Sequence, residues 1–226
     1  EMVVGTNAIA ESYVHPGVQF SVANLIEAMI TESDNTATDF CLKLAGGPEA
    51  VNKKLRSLGI TALRVDRATS EILRDFYGLP DKAFFPVVTK AIADDPTLLL
   101  KMTQPNMEFE KDPRDQSTPK AMLQLLLAIE SGKGLSVKSR DFLLATMSRT
   151  RTGPGRLKGL LPKGTPVAHK TGTIGGVAND VGYITLPDGR RFAIVVFTKS
   201  STTSEADRDR AIAEVTRALY DFFYLK

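Results

Sequence analysis

Cysteine is nearly absent: Cys41 stands alone among 226 residues, which excludes an internal disulfide, and it falls in the apolar pattern of a helix, where a buried structural thiol is expected. Histidine is almost as scarce. With only His15 and His169, a histidine-rich metal centre is excluded, and no metal or cofactor is expected. Blocks of like charge are missing too. The 29 basic and 26 acidic residues leave a net charge of +3 spread along the chain, so there is neither a nucleic-acid stripe nor a polybasic membrane anchor. Uninterrupted apolar runs are a few residues long, too short to span a membrane. Internal repeats and low-complexity tracts are absent, and Glu1-Met2-Val3-Val4-Gly5 is neither an initiator methionine nor a targeting segment, so a missing N-terminal piece is expected. What is present is an ordinary core: a 42% hydrophobic fraction suffices for one large domain or two small ones.

Helical periodicity dominates the first part. Ser21 is placed to cap a helix carrying Val22, Leu25, Ile26, Met29 and Ile30, which ends at the polar triplet Ser33-Asp34-Asn35. A second helical pattern runs from Ala37 to Leu44 and stops at Gly46-Gly47, and Pro48 opens a third with Val51, Leu55 and Leu58, closed by Gly59. Regular patterning fades between Ile60 and Asp115, where Pro80, Pro86, Pro96, Pro105 and Pro113 fall; short helices near Ala83 to Ala93 and Thr97 to Met102 are expected inside a long loop of the kind that covers a site. Thr118-Pro119 then opens an apolar helix closed by Gly132, and another follows Ser136 with Phe142, Leu143 and Met147 inward.

Beyond the glycine-rich connector between Gly153 and Gly164 the pattern changes to strands: Thr165 to Thr173, Asp180 to Leu186, the turn Pro187-Asp188-Gly189, and Arg191 to Thr198, with Ala193 to Phe197 reading as a central strand. Ser204 caps a terminal helix with Ile212, Val215, Leu219, Phe222 and Phe223 on one face. The fold class is therefore α+β, a helical subdomain over residues 1–164, with the long loop at about 60–115, and an antiparallel meander plus terminal helix over 165–226.

Two short stretches carry chemistry. In His169-Lys170-Thr171-Gly172-Thr173 a strand delivers a point charge, hydroxyls and a glycine that admits a ligand to the backbone, a combination suited to an anionic substrate. Ser33-Asp34-Asn35 reads by itself either as a helix N-cap or as part of a site. Together the Ser-Asp-Asn and Lys-Thr-Gly triplets are two of the three motifs shared by class A β-lactamases and penicillin-binding proteins. The chain resembles class A β-lactamases over most of its length: from Phe20 to Gly59, through Asp112-Pro113-Arg114-Asp115 and Ser117-Thr118-Pro119, and from Leu161-Pro162-Lys163-Gly164 to the end. His-Lys-Thr-Gly-Thr and Ala178-Asn179-Asp180-Val181 look like the Bacteroidetes-type subclass.

That resemblance implies roles. Ser33 would relay a proton to the β-lactam nitrogen, Asn35 would hold the acyl side chain, and Lys170, with Thr171 and Thr173, would bind the substrate carboxylate beside Gly172. The Thr173 N–H would donate to the oxyanion. Arg156 is either an extra arginine facing that carboxylate or a solvated loop residue. Two departures stand out. The family's nucleophilic serine, in Ser-x-x-Lys well before the Ser-Asp-Asn triplet, has no counterpart in residues 1–32; Ser117-Thr118-Pro119-Lys120 matches only formally and in the wrong order, so the nucleophile is expected upstream and the 226 residues alone inactive. The base that deacylates the enzyme falls on Thr69 if Arg67 and Asp115 are matched to the family's loop arginine and aspartate, or on Glu71 after a two-residue shift, with Asp75 close by. Glu71 is the expected base.

The expected activity is hydrolysis of β-lactams, small-molecule substrates met in the periplasm or outside the cell, by a monomer with no nucleic-acid or membrane partner. A D-alanyl-D-alanine peptidase or related penicillin-binding hydrolase, and a non-catalytic binding domain, are the alternatives.

Overall fold

The computed structural model describes residues 2–13 and 15–226, which fall into two compact units, Glu1–Gln116 and Ser117–Lys226. This division at 116/117 differs from one by element type at 164/165, because the helices that follow Thr118 and Ser136 pack with the sheet.

The first unit is helical. After a short helix α1 (Ala8–Ser12), the Ser21 hydroxyl accepts the Asn24 N–H and starts α2 (Val22–Glu27), which widens into a π-helical turn over Ala28–Glu32. Within that turn the Thr31 hydroxyl donates to the Glu27 carbonyl at 2.9 Å, the back-bonding that loosens a helix. Helix α3 (Asn35–Leu44) begins on Asp34, whose Oδ1 accepts the Ala37 N–H at 2.7 Å. Gly46 and Gly47 take left-handed conformations at the start of α4 (Gly47–Ser57), whose second residue is Pro48.

The region between Ile60 and Asp115 is more regular than its composition suggests. It holds α5 (Thr69–Tyr77), α6 (Phe85–Asp94), α7 (Leu98–Lys101) and α8 (Met107–Glu110). Helices α6 and α7 match the expected short helices. Helix α5 was hidden because its N-terminal amides are satisfied from another helix: Asp39 of α3 accepts the Thr69 and Ser70 N–H groups at 2.6 and 3.2 Å. The start of the chain lies along α6, through Val4 N–H to Ala83 O at 2.8 Å and Phe85 N–H to Met2 O at 3.1 Å.

The second unit opens with α9 (Pro119–Glu130), capped by Thr118, and α10 (Val137–Met147), capped by Ser136, as the sequence predicts. Strands β1 (Val167–Ile174), β2 (Val177–Thr185) and β3 (Arg191–Phe197) form an antiparallel sheet in the order β1-β2-β3. Among the described residues β2, not β3, is therefore central, which corrects the reading of Ala193 to Phe197; of that strand's residues only Ile194 is fully buried. Helix α11 (Glu205–Tyr224) closes the unit, and Leu157, Val167, Ala178, Ile184, Ile194, Ile212 and Tyr220 form its core. The buried face of α11 is rotated from the expected one: Ile212, Ala213, Thr216 and Tyr220 point in, whereas Val215, Leu219 and Phe222 are exposed. A small alanine and a threonine, rather than the bulkier residues, permit close approach to the sheet. In α10, Met147 is buried but Phe142 is exposed, and Cys41 is only half-buried.

One glycine sets the β1–β2 spacing. A Cβ on Gly182 would lie 2.2 Å from the Ala168 carbonyl oxygen and 2.7 Å from His169 Cα, both main-chain atoms that cannot swing aside. Gly182→Ala is expected to cost about 1–3 kcal/mol through overpacking, seen as a lower urea midpoint at unchanged slope; an unchanged midpoint would show that β1 can yield without penalty.

Candidate active site

In the first unit the junction of the π-helical turn with α3 presents Ser33 and Asn35. Ser33 takes a left-handed conformation, φ 60° and ψ 37°, which for a residue with a Cβ costs of order 1–2 kcal/mol. The cost is borne by Asp34, fully buried, whose second oxygen accepts the Ile9 N–H at 3.0 Å while the first caps α3. The triplet is thus both a cap for α3 and the point at which the chain leaves the π-helical turn through a left-handed Ser33. Asn35 is drawn to the start of the chain: its Nδ2 donates to Val4 O at 2.8 Å and its N–H to Thr6 O at 3.0 Å. Gly5, at φ 98°, allows this, because a Cβ there would meet Asn35 Nδ2 at 2.6 Å. An acyl side-chain amide could still use the Asn35 Oδ1, which accepts no hydrogen bond from the described residues.

Arg67 and Asp115 form an ion pair, Nε to Oδ2 at 2.5 Å. The guanidinium, buried, also reaches Asp75 at 2.7 Å and Asp112 at 3.2 Å and lies 5.1 Å from the centre of the Phe109 ring. Asp115 Oδ1 accepts the Asp66 and Arg67 N–H groups while Asp66 Oδ2 accepts the Asp115 N–H, so the two ends of the long segment are laced together. Glu71 sits on the third residue of α5. Its Oε2 accepts the Ala68 N–H at 2.9 Å and its Oε1 lies 3.2 Å from the Lys82 ammonium. Burial pushes its carboxyl up, but the Ala68 N–H and Lys82 outweigh this and hold its pKa below the usual range. It lines a cavity of about 540 Å³ with Asp39, Thr36, Phe40, Lys43 and Lys82; Ser33 and Asn35 are not among the described walls. Thr69, the other register, opens the same helix with its N–H on Asp39.

In the second unit β1 carries Lys170, Thr171, Gly172 and Thr173 in succession, Thr171 buried and the last two exposed. Lys170 Nζ donates to the Thr171 carbonyl at 2.6 Å. Burial, aided by Arg156 and opposed by Asp180, pulls its pKa down to about 8. Arg156 corrects one of the two expectations held for it. It is 2% exposed, so it is not a solvated loop residue, and its donors are already spent: Nε on Asp209 at 2.7 Å, Nη1 on the Gly172 and Asn179 carbonyls at 3.2 Å each, and Nη2 on Thr173 Oγ1 at 2.8 Å and Glu205 at 3.4 Å. It thereby holds the Thr173 hydroxyl, which lies two residues from Thr171 on the exposed end of β1.

Several contacts here escaped sequence reading. Below β1, His169 and Asp180 are both fully buried, with Nδ1 at 2.8 and 2.9 Å from the two carboxylate oxygens, and Asp180 also accepts the Leu157 N–H. An ionised carboxylate only accepts, which puts the proton on Nδ1. Their offset across the β1–β2 register, His169 opposite Gly182 and Asp180 opposite Thr171, was not visible without pairing. Asp209 and Asp39 gave only weak signals, as acids on helix faces. Thr152, whose hydroxyl lies 2.6 Å from that of Thr171, gave none.

A family model described as the Beta-lactamase enzyme family matches residues 1–223. The extended-spectrum β-lactamase PER-1 of Pseudomonas aeruginosa is 32% identical over 216 residues, covering 92% of this chain and 59% of that protein. The β-lactamase VEB-1 of the same organism is 31% identical, over 93% of this chain and 62% of that protein. The chain thus spans about three fifths of the length of these curated relatives. Among solved structures, the TLA-3 extended-spectrum β-lactamase superposes with a TM-score of 0.79 at 28% identity, over 98% of this chain and 71% of that one. A class A β-lactamase from Bacteroides cellulosilyticus gives 0.76 at 25% identity, covering 99% and 71%. With its Ser-Asp-Asn and Lys-Thr-Gly stretches set on a class A fold, the chain belongs to the beta-lactamase enzyme family.

Proposed function

We propose that the protein hydrolyses β-lactams through a serine acyl-enzyme, the attacking serine coming from a segment outside these 226 residues. The carrying observation is the Lys170 strand: a lysine, two threonines and a glycine in succession, with one threonine hydroxyl fixed by a buried arginine, inside a chain that matches β-lactamases over nearly its whole length. In this reading Lys170 draws in the substrate carboxylate, Thr171 and Thr173 hydrogen-bond it, and Gly172 lets it approach the main chain. The Thr173 N–H receives the oxyanion. Ser33 passes a proton to the departing nitrogen, Asn35 Oδ1 accepts from the acyl amide, and Glu71 activates the deacylating water. Action in the periplasm or outside the cell, as a monomer, completes the proposal. No helix among the described residues is long and apolar enough to cross a membrane.

A second reading is favoured by one observation. Both Glu71 oxygens already hold partners, Ala68 N–H and Lys82, which suits an enzyme that acylates readily and deacylates slowly, as a penicillin-binding D-alanyl-D-alanine peptidase does.

Two measurements on the full-length protein bear on this. Glu71→Gln is expected to cut nitrocefin turnover roughly 10²–10⁴-fold, with acyl-enzyme accumulating by intact mass; unchanged turnover would remove Glu71 from the mechanism. The second is pH dependence. Lys170 is charged below its pKa of about 8 and loses its charge above it. KM for a carboxylate-bearing β-lactam should then rise about tenfold one unit above that pKa, while Lys170→Arg flattens this alkaline limb. A KM flat from pH 7 to 10 in the unaltered protein would exclude Lys170 as the anion anchor.

A further inference from the structure

The turn before Arg156 is pressed against β1 more closely than a solvated connector requires. Thr150 Oγ1 donates to the His169 carbonyl at 2.6 Å, and the Thr150 carbonyl in turn accepts from Lys158 Nζ at 3.0 Å. Three residues on, Gly153 takes φ 60°, and a Cβ there would come within 2.7 Å of Thr171 Cγ2 and 3.0 Å of Arg156 Cδ. Glycine is thus what allows the chain to bring Thr152 against Thr171. The contact made there is a single hydroxyl pair, Thr152 Oγ1 to Thr171 Oγ1 at 2.6 Å, and neither hydroxyl has a further partner among the described residues.

A hydroxyl has one proton and two acceptor lone pairs, so the direction of this bond decides what Thr171 can offer. If Thr171 donated to Thr152, it would present only lone pairs elsewhere, which repel an anion. If Thr152 donates to Thr171, the Thr171 proton is released for a carboxylate, and the two bonds polarise one another in the same sense. We infer that Thr152 is a positioning residue whose hydroxyl donates to Thr171 Oγ1 and so directs the Thr171 proton toward the substrate carboxylate. The inference rests on the β-lactam reading above, in which Thr171 meets that carboxylate. Thr152 itself touches no reacting atom. Its contribution is to affinity for the anionic group, leaving the chemical step alone.

Thr152→Val keeps the shape and removes the hydroxyl, and Thr152→Ser restores it. In the full-length protein, Thr152→Val is expected to raise KM for nitrocefin about tenfold, the scale of one charge-assisted hydrogen bond, with kcat unchanged and Thr152→Ser returning KM to within about twofold. A β-lactam whose carboxylate is blocked as a methyl ester should show no difference between Thr152 and Val. A general packing defect would move both substrates, would not be rescued by serine, and would overturn the proposal, as would an unchanged KM for the free acid. If the unaltered full-length protein is neither acylated by nor turns over any β-lactam, the β-lactam reading fails and the proposal with it; turnover with a KM indifferent to Thr152 removes the proposal alone.

Discussion

The Arg156 guanidinium is the constraint on which the second unit's site depends. A charge buried to 2% exposure is costly unless every donor is used, and here all are: two carboxylates on α11, two main-chain carbonyls on β1 and β2, and the Thr173 hydroxyl. Because the fork is planar and rigid, those partners are fixed relative to one another, which a lysine's single point charge could not do. The arginine thereby fastens helix, sheet and connector at the place where Gly172 and Thr173 face outward. Its partners lie on β1, β2 and α11, so the register of β1 against β2 and the placement of α11 are coupled through one side chain.

The first unit uses the same device at the neck of its long segment. Arg67 is shared among Asp115, Asp75 and Asp112, and the reciprocal bonds of Asp66 and Asp115 close a loop of nearly fifty residues at one point. Closing a long loop costs little more than closing a short one, since the entropy grows only with the logarithm of length. A laced neck can therefore carry a large insertion whose interior is organised locally. That interior has its own anchors, Asp39 on the start of α5 and the Val3–Phe84 bridge on the start of α6.

How much of this was legible depends on how local each determinant is. Ser21, Thr118, Ser136 and Ser204 cap the helices they were expected to cap, because a cap and its amide lie three residues apart. The strands of the meander were likewise visible, though not which one lies in the middle, which pairing alone decides. Helix α5 was missed because Asp39, thirty residues away, does the capping. The burial of Arg156 was hidden for the same reason: glycine-rich surroundings look solvated, and its partners Asp209 and Thr173 are distant in sequence. The inward face of α11 was misread because size was taken for burial, whereas Ala213 and Thr216 fit the tight approach that Val215 and Leu219 could not.

Glu71 shows where geometry and basicity pull apart. A carboxylate serves as a general base in proportion to its proton affinity, and the best pKa lies near the working pH. Ala68 N–H and Lys82 stabilise the charged form of Glu71 and so weaken it as a base, although they also keep it ionised and pointed along the start of α5. Lys82 is the adjustable part: its side chain is 43% exposed and its bond to Glu71 spans 3.2 Å, so solvent screens the pair and separating it costs little. The capping bond is different, being built into the helix. The Ala68 N–H orients the carboxylate through Oε2, whereas Lys82 acts on Oε1. The capping amide thus sets the direction of the Glu71 carboxylate, and Lys82, the more exposed of its two partners, adjusts its proton affinity.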